Sequence, residues 1–274
     1  MRTVSLITRR QLLAGASVVL GAAAVGFPAG ASTPIRTPVV PAPSPLDRIL
    51  GESHAIATMR DSARRILSGA ARGGRLPPVL LAGETGSGKG LVADAMHRAR
   101  LHGVGAFIPL CVSAIPESLL ESALFGSWPE ALPREVRAHP GLIRAAHHGT
   151  LYLDEMELLT ERLRIKVLES LDEGADIWLV ASSFRDADVF RPRRGVVLTV
   201  PPLRERDDDV LLLADHYLAR FCRDYQVPTK TLSRNARAAL RRHKWPGNVR
   251  ELMNCVERAI LLAGPQIEPE DLGL

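Results

Sequence analysis

The stretch from Pro78 to Met96 constrains this chain more than any other. An apolar run, Pro78-Val79-Leu80-Leu81-Ala82, enters the turn Gly83-Glu84-Thr85-Gly86-Ser87-Gly88-Lys89-Gly90. Leu91-Val92-Ala93-Asp94-Ala95-Met96 leaves it with helical apolar spacing. Strand, glycine-rich turn and helix in that order form the context a phosphate-binding loop requires. Gly83, Gly86 and Gly88 let the backbone curl so that successive N–H groups face one concavity. The helix adds the positive end of its dipole, and Lys89 adds a point charge for the β- and γ-phosphates. Gly90 stands where a Ser or Thr hydroxyl usually meets magnesium, so the metal needs another protein ligand. The pattern predicts ATP or ADP bound with Mg2+.

A second segment supplies acids. Gly149-Thr150-Leu151-Tyr152-Leu153-Asp154-Glu155 reads as a buried strand with two carboxylates at its C-terminal edge. In phosphoryl-transfer sites one acid holds magnesium and a neighbour orients the attacking water. Asp154 is the candidate metal ligand and Glu155 the candidate for polarising water. The competing reading has these acids cap a helix that begins near Glu157. The phosphate loop upstream favours the catalytic reading.

Strands are predicted at Val79–Ala82, Ala106–Leu110, Thr150–Leu153, Ile177–Ala181 and Val196–Val200, with helical patterns such as Glu161–Asp172 between them. That alternation predicts an α/β domain, a parallel sheet sandwiched by helices. After Arg206 the pattern is helical over Asp208–Tyr225, Ser233–Arg242 and Asn248–Ala263. Ser233 and Asn248 are the predicted N-caps of the last two. The reading divides the chain into an N-terminal segment (1–31), a Pro-rich linker (32–46), a nucleotide-binding subdomain (47–206) and a helical lid (207–274).

These motifs resemble the AAA+ ATPase domain of sigma-54-dependent transcription activators, colinearly from about Asp47 to Leu272. Ile49-Leu50-Gly51-Glu52-Ser53 looks like the family's leading segment, whose apolar residues flank the adenine. The loop from Gly83 to Lys89 is similar to its phosphate loop. The run from Ala114 to Gly126 matches its most recognisable helix. Pro201-Pro202-Leu203-Arg204-Glu205-Arg206 and Trp245-Pro246-Gly247-Asn248-Val249-Arg250-Glu251-Leu252 match two further motifs. The resemblance implies that Arg250, on the lid, reaches the bound nucleotide.

Departures from the family pattern carry their own expectations. Relatives grip the sigma factor with a projecting GAFTGA loop. Between Ser127 and Pro140 this chain reads Glu130-Ala131-Leu132-Pro133-Arg134-Glu135 at that position, which is stiffer and differently charged. The 127–140 loop is therefore a candidate contact for a protein partner, with sigma-54 remodelling not expected. Leu110 is assigned to the place of an asparagine that restrains the catalytic glutamate, and Ser183-Phe184 to that of a Thr-Asn sensor. The segment between Asp186 and Val196 is short where relatives place trans-acting arginines, although Arg191, Arg193 and Arg194 are present. Together these imply weak hydrolysis and argue against ring assembly. The alternative is an inactive nucleotide-binding interaction module, exported or membrane-tethered.

The N-terminus points elsewhere. Thr8-Arg9-Arg10-Gln11-Leu12-Leu13, an apolar run to Phe27 and Ala29-Gly30-Ala31 resemble a twin-arginine export signal. ATP is scarce outside the cytoplasm, so the nucleotide site favours the cytoplasm for the folded domain. No DNA-binding domain is visible in the sequence after the lid. The net charge of +5 is spread along the chain, and the cluster Arg234, Arg237, Arg241, Arg242 reads as a solvated helix face. Cys111, Cys222 and Cys255 have no metal spacing and sit in apolar contexts that predict buried thiols. His147-His148 is read as strand residues with a structural role.

Overall fold

In the computed structural model the structure describes residues 44–70, 75–100, 105–126, 140–184 and 195–274. Five strands, β1 (Val79–Ala82), β2 (Phe107–Cys111), β3 (Thr150–Asp154), β4 (Trp178–Ser183) and β5 (Val196–Thr199), form a parallel sheet. Their order is β2-β3-β4-β1-β5. The three inner strands are buried almost throughout, which is why they read as continuous apolar runs rather than alternating ones.

Side chains still alternate between the faces. Leu80, Leu151, Leu153, Leu179 and Ala181 share one core with α3 (Glu117–Phe125) and α5 (Glu161–Asp172). The short α4 (Leu142–Ala145) packs at its margin. Val79, Leu81, Tyr152, Trp178 and Val180 face the other way, onto α1 (His54–Ala70) and α2 (Lys89–Ala99). That two-residue period places Tyr152 and Asp154 on one side of β3.

A separate core forms the helical lid: α6 (Asp209–Asp224), α7 (Arg234–Arg242), α8 (Asn248–Leu262) and α9 (Pro269–Leu272) around Leu213, Leu240, Trp245 and Val256. Two short strands, β6 (Thr231–Leu232) and β7 (Gln266–Ile267), pair in parallel beside it.

Helix α5 has the predicted bounds and is capped by Thr160, whose hydroxyl accepts from Leu163 N at 3.4 Å. Because a 3-10 turn (Met156–Leu158) intervenes, neither Asp154 nor Glu155 caps it. Ser233 caps α7 as predicted, accepting from Ala236 N at 3.1 Å. Asn248 does not cap α8: its backbone has φ +55° and its side chain is engaged elsewhere. His147 and His148 lie in a turn rather than a strand, and His148 Nδ1 is 2.6 Å from Asp176 Oδ2. Two arginines of the α7 cluster pair with acids, Arg237 with Asp215 and Arg241 with Asp208, both at 2.7 Å. Among the described residues no helix is long and apolar enough to cross a membrane. The twin-arginine-like segment, loop residues 127–139 and Arg191, Arg193 and Arg194 lie outside the described residues.

Candidate functional site

The predicted loop closes between β1 and α2, at the carboxyl edge of the sheet, where open α/β sheets bind ligands. Gly86 and Gly88 take φ of +76° and +100°, conformations that side chains disfavour. A Cβ on Gly86 would also sit 2.2 Å from Gly247 O of the lid. Lys89 Nζ, half-buried, donates to Gly83 O at 2.8 Å and Glu84 O at 3.0 Å. Burial lowers its pKa, while Asp154, Glu157 and Glu155 oppose that shift.

Thr85, Gly86, Gly88, Lys89, Gly90, Asp154, Glu155 and Arg250 line one cavity of about 330 Å³. Ile49, Leu50, Ser87 and Gly88 line an adjoining, more apolar one of about 550 Å³, walled by Met59, Leu213 and Tyr217. The two share Gly88, Leu91, Tyr217 and Val249. Gly83 lines neither: a Cβ there would meet Val200 O at 2.6 Å, so its role is close packing under the loop.

Glu84 does not face the cavity. Its carboxylate takes a two-pronged contact from Arg204, at 2.6 and 2.8 Å, and a third bond from Asn248 Nδ2 at 3.0 Å. Those donors hold the Glu84 carboxyl down to about 2. Asn248, fully buried, also donates to Thr85 O at 3.0 Å and accepts from Leu203 N at 2.8 Å. Val249 N and Arg250 N both donate to Gly86 O. Arg206, whose pKa burial lowers to about 10, donates to Ser87 O at 2.6 Å. Asp209 accepts from Glu52 N, Ser53 N and Ser53 Oγ. The segment from Leu203 to Asp209 thus ties the phosphate loop, the lid and the leading segment together.

The acidic side is built differently. Asp154 Oδ1 accepts from Tyr152 OH at 3.0 Å and from Ser182 Oγ. Burial pushes the Tyr152 phenol upward, so it remains a donor at neutral pH. Ser182 Oγ also accepts from Glu155 N at 3.2 Å. Glu155 has φ +61°, a left-handed conformation that is uncommon outside glycine and collects at functional sites.

Leu110 is buried in the core and pairs in register with Leu153. Cys111 pairs with Asp154, and its Sγ lies 3.8 Å from Glu155 Oε2. The residue beside the glutamate is therefore Cys111, and Cys111 is exposed where a buried thiol was expected; Cys222 and Cys255 are buried. Phe184 stands on the cavity rim, 57% exposed. Its N–H donates to Glu157 Oε1 at 2.9 Å. Glu157 was missed by the sequence reading because it sits in the short 3-10 turn after the strand; it lines the cavity, and its Oε2 is buried without a partner among the described residues. Ser87 Oγ, in the loop itself, is likewise buried without a partner among the described residues.

A glycine-rich loop and lysine opposite a strand-borne acid pair, closed by a helical lid, define a P-loop nucleotide-binding domain. Residues 49–189 match the sigma-54 interaction domain family and 204–273 the AAA+ ATPase lid domain. The chain belongs to the sigma-54 interaction domain family. It is 34% identical over 256 residues to the response regulator protein PilR of Pseudomonas aeruginosa, covering 84% of this chain and 56% of that protein. It is 36% identical over 237 residues to the regulatory protein AtoC of Escherichia coli, covering 78% of this chain and 50% of that one. The chain thus spans about half the length of these relatives. Among solved structures it resembles NtrX from Brucella abortus in complex with ADP, with TM-score 0.72 and 25% identity over 82% of this chain and 54% of that one. It shares its fold with the RuvB branch migration motor of Thermotoga maritima, at TM-score 0.55 and 17% identity.

Proposed function

We propose that this domain binds ATP with magnesium and hydrolyses it slowly, with Glu155 polarising the attacking water. The observation that supports it is the cavity in which Lys89 and Arg250 share walls with Asp154 and Glu155. In this reading Lys89 and the N–H groups of the loop hold the phosphates, Ile49 and Leu50 flank the base, and Arg250 brings the lid onto the nucleotide. The similarity to NtrX, whose structures hold ADP and ATP, supports a nucleotide ligand.

The donor set suits magnesium. That ion is held by one or two carboxylates together with substrate phosphates and waters, rather than by an all-protein cage. Asp154 would be the protein ligand, and Glu157 lines the same cavity. Magnesium, when bound, neutralises charge that develops on the phosphates.

Slow turnover follows from the groups around Glu155. Cys111 offers it a weak thiol donor, and Phe184 carries no polar group with which to orient water. The altered 127–140 loop is proposed as the contact to a protein partner other than sigma-54, and ATP use sets the cytoplasm as the working compartment. The test is calorimetry of ATP binding together with phosphate release by the full chain. Binding that Lys89→Ala weakens at least about 100-fold, with release that Glu155→Gln lowers on the order of 100-fold, is the expected result. Nucleotide affinity unchanged by Lys89→Ala overturns the site.

A further inference from the structure

The first turn of α2 carries no hydroxyl, because position 90 is glycine. An ideal Cβ at Gly90 would lie 3.8 Å from both Cε1 and the hydroxyl oxygen of Tyr152. The phenol therefore lies in van der Waals reach of a side chain at position 90. Tyr152 is 4% exposed and precedes Asp154 by two residues on β3, so both side chains rise from the same face of the sheet. Its hydroxyl donates to Asp154 Oδ1 at 3.0 Å, and Ser182 Oγ from β4 donates to the same oxygen. Two donors on one carboxylate oxygen fix the rotation of the group. Oδ2 accepts no hydrogen bond among the described residues, and the side chain lines the cavity.

We infer that Tyr152 is a positioning residue: with Ser182 it locks one oxygen of Asp154 and thereby offers the other to a nucleotide-bound divalent cation. The inference rests on the reading of this cavity as a magnesium–nucleotide site and adds the residues that orient its metal ligand. Groups that orient a metal ligand typically govern metal affinity by 10–100-fold.

The test is ADP binding by calorimetry to the full chain, first in EDTA and then across a magnesium series. Tyr152→Phe removes the hydroxyl and keeps the ring that fills the core. It should leave the magnesium-free affinity within about twofold while raising the magnesium concentration for half-effect on the order of 10-fold. Gly90→Ser in that background should recover most of the shift, since a Cβ at 90 meets only ordinary van der Waals contacts. Ser182→Ala should show the same selective shift and serves if Tyr152→Phe folds poorly. A Tyr152→Phe magnesium curve that matches the unmodified protein overturns the inference. So does an equal loss of affinity with and without magnesium, which marks a purely structural role. If the unmodified protein binds no ADP, or binds it identically with and without magnesium, the underlying reading of the site fails and the inference with it.

Discussion

The phosphate-loop side of the cavity and the acidic side are braced to different degrees. Around the loop, Glu84, Gly86 and Ser87 are each bonded to the lid or to the Leu203–Asp209 segment, largely by charged or buried donors. Among the described residues the Glu155 carboxylate has one neighbour within bonding reach, a thiol at 3.8 Å, and an exposed phenylalanine stands on the cavity rim. The proposed nucleotide grip is braced at several points, whereas the proposed placement of water is left to few groups. Binding and turnover can therefore separate in this chain, and each change below either widens or closes that gap.

The largest effect is expected at Lys89. Lys89→Ala removes the half-buried charge at the loop and should reduce ATP affinity by at least about 100-fold, roughly 3 kcal/mol, while the fold is retained. Calorimetry alongside thermal denaturation checks both halves of that statement. Glu155→Gln should lower phosphate release on the order of 100-fold and leave affinity alone, as single-turnover assays would record. If binding fell together with release, the two sides would not be separable.

Asn248→Ala breaks the brace from the lid. It leaves the buried Leu203 N–H unpaired and should cost about 1–3 kcal/mol in denaturant unfolding. Glu84 tests the same brace through pH. Its carboxyl is held down to about 2 against an ordinary value of 4.5. A depressed acid stabilises the fold fully above its ordinary pKa and loses that contribution as pH falls toward the depressed one. The stability gap between the unmodified protein and Glu84→Gln should therefore be constant above about pH 5 and shrink between 4.5 and 2. A gap that is flat across that window would remove Glu84 from the brace. The smallest effect expected is a gain: Phe184→Asn should raise phosphate release severalfold without altering affinity, by giving the rim a group that can orient water.

What was legible in the sequence follows the range of the interactions. The loop, the acid strand and α5 are written in consecutive residues, and their patterns place them to within a residue. The brace is not, because Glu84 meets Arg204 and Asn248 across separations of 120 and 164 residues. Asn248 shows why local rules mislead: its type and position suit an N-cap, yet its amide is spent on Glu84, Thr85 and Leu203. The neighbour of Glu155 was placed one residue early because β2 runs on to Cys111, and only the parallel register fixes which side chain stands beside the acid. In sequence Tyr152 is one more residue of a buried strand, and only the fold sets its hydroxyl against Asp154.

The separation of grip from turnover is tested most directly by a single-turnover measurement with the full chain in excess over ATP and with saturating magnesium. ATP should bind tightly, while phosphate release proceeds below about 0.1 per second, against a typical enzyme turnover of about 10 per second. Release at or above about 10 per second, or a rate that climbs steeply with protein concentration, would contradict it.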